Sequence, residues 1–168
     1  MFRALFSITV ALAGVGCGAN GGGQGHGCSD SFECGDLEFC NAGSCDEVAG
    51  RSFFVAAERG TAVSNGDWDA GGGAPDPFVS IFLNGDLQCY TDTEDDTFQP
   101  SWGEGCEVVF ESGGELEIDM YDEDVSDNDI MLYYVASGTD DLVSLARDGS
   151  VTLSTDYATL DISITPEF

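Results

Sequence analysis

The chain has 168 residues, of which 32 are acidic and four basic, all four arginine, for a formal charge of −28. A surface this anionic excludes nucleic acid as a partner, because phosphate binding needs Lys and Arg to displace counterions, and it repels anionic lipid unless a divalent cation intervenes. With 42% hydrophobic residues the chain has the material for a core, so disorder throughout is excluded as well.

Residues 1–16 read as a secretion signal. Arg3 gives a basic start, and the apolar run Ala4 to Val15 is too short to span a bilayer. The run ends in Gly14-Val15-Gly16-Cys17, which resembles the lipobox of bacterial lipoproteins, although Gly14 stands where leucine is usual and Leu12 lies two residues early. The resemblance implies an exported chain with lipid on Cys17, held by that anchor to a membrane. Gly18, rather than Asp, after the cysteine implies the outer membrane of a Gram-negative bacterium. Seven cysteines in an exported chain leave one over when six pair, and Cys17 is the natural odd one.

Residues 17–27 form a Gly-rich tether with a reach of about 17 Å. It holds His26, the one histidine, which is read as a bystander. Residues 28–47 form a cysteine-rich module with the pattern C-x5-C-x5-C-x4-C, too short to bury a core and so dependent on staples. Its four cysteines allow three pairings. A zinc site is the rival reading, but the close knuckles of zinc ribbons are missing. The stretch CSDSFECGDLEFCNAGSC resembles small disulfide modules of secreted proteins, and by that resemblance Cys28 pairs with Cys40 and Cys34 with Cys45. Its expected role is a rigid spacer.

From residue 51 to 168 the signal is β. Short runs with period-two alternation are punctuated by Gly, Asp, Asn and Ser. Candidate strands are 52–58, 77–83, 87–92, 106–111, 115–121, 130–136, 150–155 and 158–165, with no convincing amphipathic helix between them. They predict an all-β, eight-stranded antiparallel β-sandwich. Cys89 and Cys106 flank an acidic stretch near the ends of successive strands. Two free thiols are improbable in an exported chain, so a disulfide is expected there.

Two loops concentrate carboxylates. One runs from Asn65 to Val79 and contains Asp67, Asp69 and Asp76. The other runs from Tyr121 to Ile130 and contains Asp122, Asp124, Asp127 and Asp129. Like charges this close destabilise one another, and a hard cation such as Ca²⁺, which takes oxygen ligands, reverses that cost. Neither loop is an EF-hand: the closing Glu position holds Tyr133 in one register and Phe78 in the other. The alternative is a solvated acidic rim with Asp used in turns.

Three blocks appear in order. The first is Asp69 followed by Asp76-Pro77-Phe78-Val79. The second is Thr97-Phe98-Gln99-Pro100-Ser101-Trp102-Gly103-Glu104. The third is the strand Leu116 to Tyr121 running into Asp122-Glu123-Asp124, then Asp127 and Asp129. Together they resemble a C2 domain from about Phe53 to Pro166. The resemblance implies calcium chelated at one end of the sandwich by Asp69 and Asp76 from the first loop and by Asp122, Asp124 and Asp129 from the third. Asp67 is an alternative to Asp69, and Asp127 competes with Asp129 for the last position. The acidic run Asp92-Thr93-Glu94-Asp95-Asp96 lies outside the family's ligand positions and replaces the lysine-rich strand many C2 domains turn toward anionic lipid. Trp68 and Val125 are the only large apolar candidates for the loop tips.

The expected function is a non-enzymatic, calcium-dependent binding module on a lipid anchor, with Ca²⁺ bridging to a phospholipid or a protein partner. The alternative is a structural surface lipoprotein whose sandwich does not bind calcium or uses it only for stability. The sandwich segment has neither His nor Lys, which removes Ser-His-Asp and Cys-His mechanisms, so no enzymatic activity is expected.

Overall fold

The computed structural model describes residues 27–64, 68, 73–124 and 128–167. The signal segment, Cys17, most of the tether with His26, and Asp67, Asp69, Val125 and Asp127 lie outside the described residues.

The described chain begins with the four-Cys segment. A single 3-10 turn at Ser31–Glu33 is capped by the Asp30 carboxylate, which accepts the Phe32 N–H at 2.7 Å. Strands β1 (Glu38–Asn41) and β2 (Ser44–Glu47) come next as a hairpin. Its two turn residues, Ala42 and Gly43, both take positive φ, as a two-residue turn between right-twisting strands requires. Disulfides join Cys28 to Cys40 and Cys34 to Cys45. Three of these sulfurs lie close enough to hold a metal, but bonded in pairs they offer no thiolate, so the structure sides with disulfides over zinc.

The segment does not stand apart as a spacer. Phe39 and Val48 are buried to within 2% and join the hydrophobic core built by the later strands. The Phe39 ring packs on Phe53 at 5.2 Å, and Phe53 on Phe110 at 4.7 Å.

Those later strands number eight: β3 (Arg51–Ala62), β4 (Pro77–Leu83), β5 (Asp86–Tyr90), β6 (Ser101–Phe110), β7 (Glu115–Asp122), β8 (Asp129–Ser137), β9 (Ser150–Ser154) and β10 (Ala158–Pro166). They form two four-stranded antiparallel sheets, ordered β6-β3-β10-β9 and β5-β4-β7-β8. The expected sandwich of eight strands is therefore present. Alternation sends Leu116, Ile118 and Met120 of β7, and Leu160, Ile162 and Ile164 of β10, into the space between the sheets.

Strand ends differ from expectation where the pattern breaks. β3 runs on to Ala62 because a bulge at Glu58 resets its alternation, so that Ala57 and Gly60 both face inward. β6 begins five residues before its first clear apolar alternation. Its Gly105 lies so close to β3 that a Cβ there would sit 2.0 Å from the Val55 carbonyl oxygen. That close approach explains a glycine in mid-strand.

One helix was not expected. α1 (Thr139–Asp148) buries Leu142, Val143, Leu145 and Ala146, carries Asp140 and Asp141 in its first turn, and ends on Gly149 in the left-handed region. It packs against β1, β8, β9 and β10. Its Arg147 Nε donates to the Glu38 carbonyl at 2.7 Å, and Nη2 donates to the Gly35 carbonyl, which ties the disulfide segment to the sandwich. The disulfide Cys89–Cys106 joins edge strand β5 of one sheet to edge strand β6 of the other.

Candidate metal site

Register brings the two acidic loops together. Pro77 at the start of β4 pairs with Asp122 at the end of β7, and Asp122 pairs with Asp129 at the start of β8. Asp76, Asp122 and Asp129 therefore stand side by side at one end of one sheet, although they are far apart in sequence.

Asp122 is the innermost of them and is wholly buried, 0% exposed. Its Oδ1 accepts the Asp76 N–H at 2.7 Å, and the Glu123 N–H donates to the Asp76 carbonyl at 2.9 Å, so the two loop ends are laced directly. Asp76 and Asp124 are half-buried and Asp129 is exposed. Asn128 Oδ1 accepts the Asp124 N–H at 3.1 Å and folds the third loop back on itself.

A third acidic segment borders the same end. The Asp96 N–H donates to Asp76 Oδ1 at 2.5 Å. Glu94 and Thr97 donate to the Pro77 and Pro75 carbonyls at 3.0 and 2.8 Å, and Thr93 Oγ1 donates to Glu123 at 2.6 Å. The run Asp92 to Asp96, outside the expected ligand positions, thus lines the same end of the fold, and Asp96 is in direct contact with a candidate ligand. The second sequence block is what holds it there: Glu104 accepts the Asp92 N–H at 2.7 Å and Trp102 Nε1 donates to the Asp92 carbonyl at 3.0 Å. The sequence signal was present in that block, whose Trp and Glu serve to position the loop.

Trp68 is not at a loop tip. It is 8% exposed, belongs to the core, donates from Nε1 to the Val63 carbonyl at 2.8 Å, and meets Tyr157 edge-on at 6.4 Å. The reading of Trp68 as a candidate for a loop tip is corrected by this burial: its indole anchors the start of the first loop.

No arginine among the described residues is spared for this end. Arg51 pairs with Asp46 at 3.3 Å, Arg59 with Asp161 at 2.7 Å, and Arg147 is spent on backbone carbonyls. Asp161 is held below the usual carboxylate range by its bonds from Thr152 and Arg59. The donor set at the loop end is hard oxygen, which suits Ca²⁺ and is wrong for zinc or copper. Among the described residues, the carboxylates at this end do not supply three oxygens within 4.8 Å of one another. Asp67, Asp69 and Asp127 lie outside those residues.

A family model described as C2 domain matches residues 58–150, more than half of the chain. No curated protein matches it. Human GIVD cytosolic phospholipase A2, in complex with a fluorophosphonate inhibitor and terbium chloride, is similar at TM-score 0.58 and 24% identity over 71% of this chain, which spans 17% of that protein. A calcium-bound pair of C2 domains from Extended-Synaptotagmin 2 is similar at TM-score 0.57 and 18% identity over 70% of this chain and 46% of that one. A solved C2 domain is similar at TM-score 0.53 and 16% identity over 70% of this chain and 99% of that one. At these identities the structural likeness speaks for the fold alone. The family match covers the segment from within β3 to the start of β9, including Asp76, Asp122, Asp124, Asp129 and the block that holds the intervening loop. On that match, and on a sandwich whose acidic loops meet at one end, the chain belongs to the C2 domain family.

Proposed function

We propose that the chain is a non-enzymatic, calcium-dependent binding module. Its ligands are Asp76, Asp122, Asp124 and Asp129, with Asp69 or Asp67 from the first loop and Asp127 competing with Asp129. The observation that carries this reading is Asp122: a carboxylate buried in full between Asp76 and Asp129. Carboxylates gathered this closely from two loops repel one another, and a hard cation that takes oxygen ligands reverses that cost. The bound Ca²⁺ bridges to a phospholipid or protein partner, and lipid on Cys17 holds the exported chain at a membrane, the outer membrane of a Gram-negative cell.

Calorimetric titration with CaCl₂ tests the site. With a dissociation constant of about 0.1 mM, as extracellular sites have, 1 mM calcium contributes about 1.4 kcal/mol, which raises Tm by about 3–6 °C. Magnesium does much less, since it demands octahedral geometry and keeps its water. Asp122→Asn combined with Asp124→Asn removes the calcium shift, while the amide oxygen introduced at the buried position still accepts the Asp76 N–H. Identical melting of the wild type in calcium and in chelator, with no heat of binding, sinks the proposal in favour of a structural sandwich.

A further inference from the structure

The outer face of the β5-β4-β7-β8 sheet carries chemistry that the calcium loops do not use. The alternation that turns Leu116, Ile118 and Met120 inward turns Glu117, Asp119 and Tyr121 outward. Register places Tyr90, Ser80, Asp119 and Tyr133 in one row across all four strands. In the next row Phe78 and Tyr121 stack at 5.3 Å. The two rings at the ends of the first row are open to solvent, Tyr90 at 69% and Tyr133 at 58% exposure.

Asp119 lies at the centre of that row and is 3% exposed. Its Oδ2 accepts the Tyr121 hydroxyl at 2.8 Å, but its buried Oδ1 receives no hydrogen bond. The Glu117 carboxyl on the same strand lies beside Asp119 as a like charge within side-chain contact, and takes a long 3.4 Å hydrogen bond from the Tyr133 hydroxyl. A buried acceptor without a donor is expensive. Toward the calcium loops the face continues into a groove of about 400 Å³ lined by Phe78, Leu87, Tyr90, Asp92 and Glu123 among others. Rings and carboxylates thus alternate over a face to which no arginine among the described residues is free to contribute, since Arg51, Arg59 and Arg147 are bound elsewhere.

We propose that this face is a second binding site, independent of calcium, for an extended arginine-bearing peptide segment of a partner protein, its guanidinium stacking on the tyrosine rings and donating to Asp119 and Glu117. Guanidinium meets both demands at once: its plane lies on an aromatic face and its edge donates to carboxylates. Ammonium is a point charge and satisfies the carboxylate without the stacking. Tyr133 is exposed and loosely held, so its ring can turn aside to admit a donor to Oδ1. In an extended peptide, side chains two residues apart on one side are separated by about 6.6 Å, the repeat of the sheet beneath. An Arg-x-Arg segment therefore places one guanidinium at Asp119 and the next over an adjoining row.

The test is fluorescence anisotropy of a labelled Gly-Arg-Thr-Arg-Thr-Gly peptide titrated with the full chain in 150 mM NaCl and EDTA, so that the calcium loops play no part. Asp119→Asn and Tyr133→Ala are each expected to weaken binding by about tenfold or more, the loss of a charge-assisted bond or a desolvated ring contact. Asp148→Asn, an exposed acid on α1, changes it less than about twofold. The Lys-for-Arg peptide binds several-fold more weakly, and protonating Asp119 by moving from pH 7.5 to pH 5 weakens the Arg peptide. Equal losses for all three variants overturn the proposal as diffuse charge attraction, as does absence of binding. Binding of cellohexaose with the same dependence on Tyr133 and no binding of peptide overturns it in favour of a glycan. Because EDTA is present throughout, these outcomes are separate from the success or failure of the calcium site.

Discussion

Asp119 makes the folded state's charge depend on pH. Burial pushes its carboxyl up from 3.8 to about 6, against the Tyr121 hydrogen bond, with Glu117 adding to the rise. Tyr121 and Tyr133 on either side are themselves raised, by burial first and then by these acids, and stay neutral throughout the relevant range. Across β4 the facing residue is the uncharged Ser80. The folded chain thus holds this proton more tightly than the unfolded chain. The stability it contributes is full below about 3.8, falls as pH rises, and is gone above about 6. Asn at this position never ionises, so the stability of Asp119→Asn relative to wild type should grow from pH 4 to pH 7 by at most about 3 kcal/mol. Urea denaturation of both proteins at the two pH values reads the difference, and a constant offset would count against a buried, strained carboxylate.

At the scale of elements, β5 and β6 are edge strands of different sheets, and the Cys89–Cys106 bond is the covalent link between those edges. It closes a segment of 17 residues that includes the acidic run beside Asp76. In the chain-entropy picture such a loop is worth about 3 kcal/mol. Cys89→Ser with Cys106→Ser should therefore lower stability by about that amount and loosen the Asp92–Thr97 segment, seen as faster amide exchange at Asp96 and Thr97. Unchanged exchange there would separate the disulfide from the loop. The strands that sequence showed most clearly, Glu115 to Tyr121 and 158–165, are those whose inward residues are uniformly apolar. The helix Thr139–Asp148 escaped because its apolar residues fill little more than one turn and it stands among strands. A helix of this length is marginal alone and forms by packing on its neighbours. At the loop end, Asp76 and Asp122 were legible because acid runs adjoin clear strands. The Asp92–Asp96 contribution was not, since it arises from a backbone N–H reaching Asp76, and a backbone donor leaves no mark in side-chain pattern. The burial of Trp68 was equally hidden: an indole in a polar loop reads as exposed until its partner Val63 carbonyl is located.

For the whole molecule, the disulfide segment and the sandwich share one core. Phe39 on the hairpin, Phe53 on β3 and Phe110 on β6 form a continuous ring contact, and Arg147 bridges from α1 back to the hairpin. Such a core melts as a unit. Phe39→Ala should cost about 3–5 kcal/mol of global stability and keep a single unfolding transition by calorimetry. Two resolved transitions, with the sandwich midpoint unchanged, would show instead that the hairpin is an independent body.

This shared core also determines how the molecule responds to tension. A pull applied at Gly27 enters through its bridge to Ser44 and then the two closed loops Cys28–Cys40 and Cys34–Cys45, which cannot extend while their bonds hold. The pull next reaches Arg51, where β3 begins between β6 and β10, inside its sheet and not at an edge. Directed along the strand, it must shear the ladders on both sides of β3 at once, with Phe53 lodged under the Phe39 and Phe110 rings. Peeling one pair at a time, as an edge strand would allow, is not open to it. The fold therefore resists being drawn out by its N-terminal end.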